Sequence, residues 1–428
     1  MAIQAPKGTR DMLPEEAYQW QYIEAKMRAL AARWGYREVR TPVFEHTELF
    51  LRGVGDTTDI VQKEMYTFKD KSDRSITLKP EGTAGAVRAF IEGRMYADAL
   101  PCKMYYLNAP IFRYENPQAG RLREHHQFGM ECFGGKEPTV EAELIEALLT
   151  LLKELGLENL SVHINSIGCP NCRVKYHEAL RNYLGERIGD MCKSCQERFE
   201  KNPLRILDCK EEGCKKITAQ APSILDYLCD DCRGHFERLK ALLDLRAIPY
   251  QVDPHIVRGL DYYTKTVFEI IMQSGREGLA LCGGGRYDGL VGQLGGPETP
   301  AAGFGIGLER VLIELRSKDL LPPPPSVIDV FCAALTDDDR ALAYAITQDL
   351  RQAGIKADCD HAARSLKAQF KYAGKLARWT VIAGGEERER GNVRVRDMQT
   401  REEWECAIAD TAADIAKRLP ASAAEGKE

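Results

Sequence analysis

Residues 127–133, Gln-Phe-Gly-Met-Glu-Cys-Phe, constrain this chain more than any other run. They alternate polar and apolar side chains, the period of a strand with one face on a core. Gln127, Gly129 and Glu131 share one face, and Phe128, Met130 and Cys132 the other. An acid pointing at a sheet face needs a partner. A glycine between two polar residues leaves room for something to lie on the sheet. Upstream, residues 104–115 read as a second strand, which ends in Phe112-Arg113-Tyr114-Glu115. The guanidinium of Arg113 can fork onto a phosphate or a carboxylate. The polar loop between the strands, residues 116–126, holds Arg121 and Arg123. An antiparallel hairpin with a solvated polar face has the same pattern, so these residues alone leave both readings open.

Other segments add polar groups in unusual places. Residues 14–34 predict an amphipathic helix, with Trp20, Ile23, Met27, Leu30 and Trp34 three or four apart and Gly35 as its terminator. A short extended stretch then leads to Pro42, which suits a strand edge. Ile76 and Leu78 predict a strand that Pro80 stops, and Glu81-Gly82-Thr83 opens a helix. Glu81 and Thr83 read first as capping residues, because a first turn leaves N–H groups free. Residues 139–156 predict a helix and 160–165 a strand. Arg258, Asp261, Tyr262 and Tyr263 crowd the start of a strand in which Val267, Glu269 and Ile271 alternate with Phe268 and Ile270. A cation, an acid and two phenols are costly to bury without a ligand or a network. Gly283, Gly284 and Gly285 precede Arg286 and Tyr287. Gly303, Gly305 and Gly307 alternate along another strand and bare its face for a flat base, and Arg310 sits in the first turn of the next helix. The spacing is not the dinucleotide fingerprint.

Fourteen cysteines in a reducing compartment are not a disulfide framework. Eight of them form four pairs: Cys169 with Cys172, Cys192 with Cys195, Cys209 with Cys214, and Cys229 with Cys232. Four thiolates make a closed tetrahedral zinc site, and two such sites account for every pair. Small core residues of a helical insertion are the alternative.

The net charge of −5 excludes a generally basic nucleic-acid coat, so any RNA contact must be local. No run approaches 18 apolar residues, so no membrane span is expected, and the first residues lack an apolar signal core, so a cytoplasmic protein is expected. Pro322, Pro323, Pro324 and Pro325 form a stiff spacer of roughly 12 Å at ~3 Å per residue. Beyond it, strands at 328–334, 355–359, 379–383 and 392–396 and helices at 337–353, 364–378 and 402–418 predict a small α/β domain. Arg364, Lys367, Lys371, Lys375 and Arg378 fall on one face of the second of these helices, with no acid between residues 362 and 385. Solvated faces normally mix signs, so an unrelieved basic stripe favours a polyanion.

Phe112-Arg113-Tyr114-Glu115, the loop and the Gln127–Glu131 run together resemble motif 2 of the class II aminoacyl-tRNA synthetases in its histidyl form. Residues 34–45 resemble motif 1, which builds the dimer interface, and residues 301–315 resemble motif 3. Arg-Gly-Leu-Asp-Tyr-Tyr-Thr from Arg258 and Gly-Gly-Gly-Arg-Tyr-Asp-Gly-Leu from Gly283 resemble the two histidine-specific motifs. The chain is identified as a member of the histidyl-tRNA synthetases.

That resemblance implies an α+β catalytic domain built on an antiparallel sheet, in residues 1–167 and 245–320. It further implies a cysteine-rich, mainly helical insertion at 168–244, a proline linker at 321–327 and a C-terminal α/β anticodon-binding domain at 328–420, with a disordered tail at 421–428. The implied activity is ATP-dependent ligation of L-histidine to tRNA(His) through histidyl-adenylate, with Mg²⁺, by a homodimer that needs neither membrane nor DNA. Arg113 and Arg258 are implied at the α-phosphate and the histidine carboxylate, and Arg310 at the outer phosphates, with Gly303 and Gly305 under the nucleotide. Glu81, Gly82, Thr83 and Gln127 are implied around the amino group. Glu131 and Tyr263 would read the imidazole, and Tyr262 and Tyr287 would line the pocket. Arg121 and Arg123 are candidates for the acceptor end of the tRNA, and the basic helix for its body. Zinc is not general in the family, so structural zinc remains a reading of the cysteines. Two rivals are a non-catalytic histidine-binding paralogue, such as the regulatory subunit of ATP phosphoribosyltransferase, and a zinc-containing RNA-binding or sensing module.

Overall fold

The computed structural model describes residues 3–55, 58–117, 122–273 and 280–419. They form two compact units, Met1–Pro322 and Pro323–Glu428, and the division falls inside the run of four prolines. The expected tail at 421–428 lies outside the described residues.

The first unit is built on an eight-stranded sheet. In chain order its strands are β1 (Arg37–Glu38), β2 (Cys102–Phe112), β3 (Glu124–Phe133), β4 (Leu160–Ser166), β5 (Tyr250–Val252), β6 (Thr264–Met272), β7 (Ala280–Arg286) and β8 (Ala301–Gly307). Their spatial order is β1-β2-β3-β8-β7-β6-β4-β5. The six central strands pair antiparallel, and β1 and β5 add parallel edges. Alternation decides which face meets the core. Phe128 and Met130 of β3, Phe268 and Ile270 of β6, and Phe304 and Ile306 of β8 all point into one apolar cluster. Helix α1 (Pro14–Arg33) covers them with Trp20, Ile23, Met27 and Leu30, and Gly35 beyond it takes φ of 75°, as a helix terminator requires. The opposite face is left to Gln127, Glu131, Glu269 and the glycines. Register places Glu131 opposite Gly303, and Gly283 between Glu269 and Gly305. Helix α2 (Thr83–Glu92) begins at this second face. A separate three-stranded sheet, Phe44–His46, Ser75–Leu78 and Thr67–Lys69, exposes Phe44 and Phe68.

The glycine-rich strand β7 is tied down by a fully buried ion pair. Arg286 donates to both carboxylate oxygens of Glu141, at 2.8 and 2.5 Å, from the first turn of α3 (Thr139–Glu154). It also reaches the carbonyls of Gly135 and Glu137. His235 bonds Glu141 at 2.6 Å from the insertion. That insertion is helical: α4 (Pro170–Gly185), α5 (Lys193–Lys201), α6 (Glu212–Thr218) and α7 (Asp230–Leu245), linked by short turns. Leucines and Phe236 of α7 pack with α3, and α8 (Leu308–Ser317) follows β8.

The second unit has a five-stranded sheet, β9 (Ile328–Ala334), β10 (Ala357–Cys359), β11 (Ala377–Ala383), β12 (Asn392–Asp397) and β13 (Glu403–Ala407), in the order β10-β9-β11-β12-β13. Its longer helices are α9 (Arg340–Gln352), α10 (Leu366–Leu376) and α11 (Thr411–Arg418), with a single turn at Gly385–Glu389. Two expectations need correction. The expected helix at 402–418 starts as a strand, because Trp404 and Cys406 alternate against the core and only the spacing of Trp404 to Ile408 mimics a helical step. The basic helix is shorter than 364–378. Arg364 precedes it, where it pairs at 2.7 Å with Asp360 and stacks over Tyr372. Arg378 belongs to β11, stacks over Trp379 and lies 3.8 Å from Asp397. Only Lys367, Lys371 and Lys375 share the exposed helix face, so the stripe is partly relieved by acids on either side of it, Asp360 and Asp397.

Burial alone would raise the Glu141 carboxyl, but Arg286 and His235 outweigh it and hold it at about 2. Stability from the pair is therefore complete above about 4.5 and lost as pH falls toward about 2. Arg286→Met should strand the carboxylate in the core and cost roughly 3–5 kcal/mol. Calorimetric melting of the full chain should show the first unit's transition moved down and the second unit's unchanged.

Candidate active site

A cleft of about 380 Å³ opens on the bared sheet face. Arg113, Gln127, Arg258, Gly305, Gly307 and Arg310 line it, although they come from four separate parts of the chain. Arg113 lies just past β2, where its Nε donates to the carbonyl of Pro80 at 2.8 Å. Arg310, in the first turn of α8, donates to the carbonyl of Ala280 at 2.7 Å. Arg258 ion-pairs with Glu269, and its guanidinium lies flat on Gly283, where any Cβ would collide with it. Burial works against the charge of Arg258, but Glu269 more than compensates and raises its pKa. His125, also in the cleft, is driven down to about 3 by burial and by the charges of Arg113 and Arg310, so it is neutral at physiological pH. Glu309 accepts from the backbone of His126 at 3.0 Å and bonds its ring at 2.9 Å.

Against the same face lies a buried network of acids and hydroxyls. Glu131 is 0% exposed and takes hydrogen bonds from Thr83 at 2.8 Å, from Tyr287, and from Tyr106 at 3.4 Å. Glu81 accepts the backbone N–H groups of Thr83 and Ala84, both at 2.7 Å, and Tyr262 donates to it at 3.5 Å. Glu81 therefore caps α2, the commoner of the two roles its position allowed. Tyr262, Tyr263 and Tyr287 pack together in tilted and edge-to-face contacts, with ring centroids 4.7 to 6.4 Å apart. The charge of Arg113 acts on Glu81 and that of Arg258 on Tyr263, which couples the network to the cleft.

Sequence pattern had left two spaces that the structure fills. The room over Gly129 is taken by the ring of Tyr106, which also presses on Gly82. Gly303 does not line the cleft; the Glu131 carboxylate occupies the place a side chain would take. Arg123 stacks 4.1 Å over Tyr114 and donates to the carbonyl of Glu115, while Arg121 lies outside the described residues. Sequence reasoning missed Tyr106, Glu269, His125 and Arg205 of the insertion. Glu269 was detectable, since it is a lone acid alternating with apolar residues opposite three glycines. Arg205 carried no signal.

The eight paired cysteines gather into two groups, Cys169, Cys172, Cys229 and Cys232, and Cys192, Cys195, Cys209 and Cys214, each with its sulfurs within 4.8 Å. The sulfurs of Cys169 and Cys172 are 3.6 Å apart, Cys169 and Cys229 4.0 Å, and Cys192 and Cys209 3.8 Å. A tetrahedral zinc with bonds of ~2.3 Å would separate its thiolates by ~3.8 Å, so both groups fit the ion. The backbone N–H groups of Cys229 and Cys192 donate to the sulfurs of Cys172 and Cys214.

An antiparallel sheet backed by helices on one face and carrying arginines over bared glycines on the other defines a class II aminoacyl-tRNA synthetase catalytic domain. The family model for histidyl-tRNA synthetase matches residues 8–311, and that for an anticodon-binding domain matches residues 329–418. The chain belongs to the histidyl-tRNA synthetase family. It is 54% identical over 409 residues to the histidine–tRNA ligase of Clostridium novyi (strain NT), covering 95% of this chain and 97% of that one. With the histidine–tRNA ligase of Caldanaerobacter subterraneus subsp. tengcongensis it shares 55% over 410 residues, covering 95% and 98%. The crystal structure of apo S. aureus histidyl-tRNA synthetase superposes with a TM-score of 0.81 at 37% identity, covering 96% of this chain and 99% of that one.

Burial pushes the Glu131 carboxyl up to about 8, against the lowering pull of Tyr287 and Thr83. The folded chain thus keeps a proton that the unfolded chain releases near 4.5, and stability should fall as pH rises from about 4.5 to about 8. Glu131→Gln should flatten that fall in melting temperatures of the ligand-free protein. An unchanged slope would mean that Glu131 is already ionised in the fold.

Proposed function

We propose that this chain ligates L-histidine to tRNA(His) in the cytoplasm, in two steps through histidyl-adenylate, as a homodimer. The observation that carries this reading is the convergence of Arg113, Arg258 and Arg310 on one cleft beside the buried Glu131 network. In the first step the histidine carboxylate attacks the α-phosphate of ATP and pyrophosphate leaves. Arg113 and Arg258 neutralise the charge that grows between them, and Arg310 holds the outer phosphates. Gly305 and Gly307 let the nucleotide lie close to the sheet. Gln127, with Glu81 and Thr83 at the start of α2, orients the amino group. Glu131, Tyr263 and Tyr287 read the imidazole, and a pocket built on such bonds rejects analogues without ring nitrogens. In the second step the histidyl group passes to the terminal ribose of the tRNA, with Arg123 near the acceptor end and Lys367, Lys371 and Lys375 on the RNA body. The carboxylates of Glu115 and Glu309 share the cleft with Arg310, a hard-oxygen set that suits Mg²⁺ arriving with the phosphates. The exposed Phe44 and Phe68 support dimerisation through the three-stranded sheet. The two cysteine groups are assigned one structural zinc each.

The rival reading is a histidine-binding paralogue without catalysis, and a TM-score of 0.65 at 20% identity relates this chain to an ATP phosphoribosyltransferase regulatory subunit/histidyl-tRNA synthetase from Bacillus halodurans. That likeness concerns the fold alone, and the three arginines in one cleft favour the enzyme.

Purified protein should exchange pyrophosphate into ATP with histidine and with no other amino acid. Histidine binding without exchange would refute adenylation. Arg258→Ala should cut exchange by ~100-fold or more while calorimetry still detects histidine. Elemental analysis should find about two zinc ions per chain, and a folded, metal-free preparation would refute that assignment.

A further inference from the structure

The insertion does more than pack beside the catalytic sheet. Between the second and third thiols of one cysteine group, Cys195 and Cys209, the chain runs through α5 and a tight turn at Pro203–Ile206. Three polar side chains of this stretch reach toward the cleft, while Leu204, Ile206 and Leu207 pack in the apolar core beside it. Arg198 donates to Asp59 at 2.8 Å, on the loop bordering the cleft. Asn202 donates to Asp261 at 3.0 Å. Arg205 donates through Nη1 to the carbonyl of Arg258 at 2.9 Å, passes within 3.8 Å of Asp59 through Nη2, and lines the cleft itself. Its side chain is only 13% exposed, although it belongs to a surface insertion. Arg258 presents its side chain to Glu269 and the bared sheet, so a donor on its backbone fixes where that guanidinium stands. The Arg205 turn is held at both ends by thiols of a single group.

We propose that the metal centre of Cys192, Cys195, Cys209 and Cys214 controls adenylation through Arg205, a positioning residue that the insertion lends to the catalytic cleft. The inference rests on the zinc and adenylation readings above. With the centre filled, the turn is rigid and Arg205 holds the 258–261 segment. With the metal removed, the turn loosens and Arg258 loses its placement.

The test uses the full chain, with metal content measured and histidine-dependent ATP–pyrophosphate exchange as the assay. Arg205→Ala should retain both metals and lower kcat by ~10–100-fold, the worth of one hydrogen bond from a charged donor, while KM for histidine moves less than ~3-fold. Arg205→Lys should recover part of the loss. Cys209→Ser should lose one metal and a similar factor in kcat, and the double variant should be no slower than Cys209→Ser alone, because both act on one path. In the wild-type chain, chelation should speed amide hydrogen exchange over residues 256–261 before the insertion unfolds. Full activity in Arg205→Ala, additive losses in the double variant, or unchanged protection after chelation would each overturn the proposal, as would a wild-type chain that holds no metal. A wild-type chain that holds metal but shows no exchange would refute adenylation itself and take the inference with it.

Discussion

The Arg286–Glu141 pair, wholly out of water, is the interaction on which the catalytic unit depends. It joins the glycine-rich strand to the helix behind it, and His235 extends the same carboxylate to the insertion. Charges in such a place are expensive unless every lone pair and proton is used. Here Arg286 also meets Asp288 and the carbonyls of Gly135 and Glu137, so the guanidinium is fully engaged. The strand it anchors has three consecutive glycines and little side-chain packing of its own. Anchored at Arg286, that strand can stay bare without losing its register.

The consequence is a sheet with two different faces. One is a conventional core of phenylalanine, leucine and methionine. The other is polar and buried at the same time, where Glu131, Tyr287, Thr83 and Tyr106 satisfy one another. A buried network of this kind is stable only when complete. Ligand groups that enter it must replace the bonds they break.

Much of this was legible in the sequence because alternation is a strong signal. The period of two in Gln127–Phe133 assigned each side chain to its face, and the cysteine spacings picked out four pairs, although not which pairs would meet. What remained hidden was three-dimensional. No pattern told that Tyr106 would cover Gly129, that Gly303 would make room for Glu131 rather than for a ligand, or that Arg205 would cross from the insertion into the cleft. In the C-terminal unit, helix and strand periods coincide around Trp404, and Asp360, which pairs with Arg364, lies just before the acid-free run. Local periodicity reports burial well and long-range pairing poorly.

The cysteine groups are nested in the chain. The outer group takes the first and last pairs, and the inner group takes the two pairs between. Once the inner four have met, the loop that the outer four must close is effectively shorter, and closing a shorter loop costs less entropy. Assembly of the insertion therefore has a preferred order, inside first. Breaking the outer group leaves the inner one intact, whereas breaking the inner one lengthens the loop that the outer group must close.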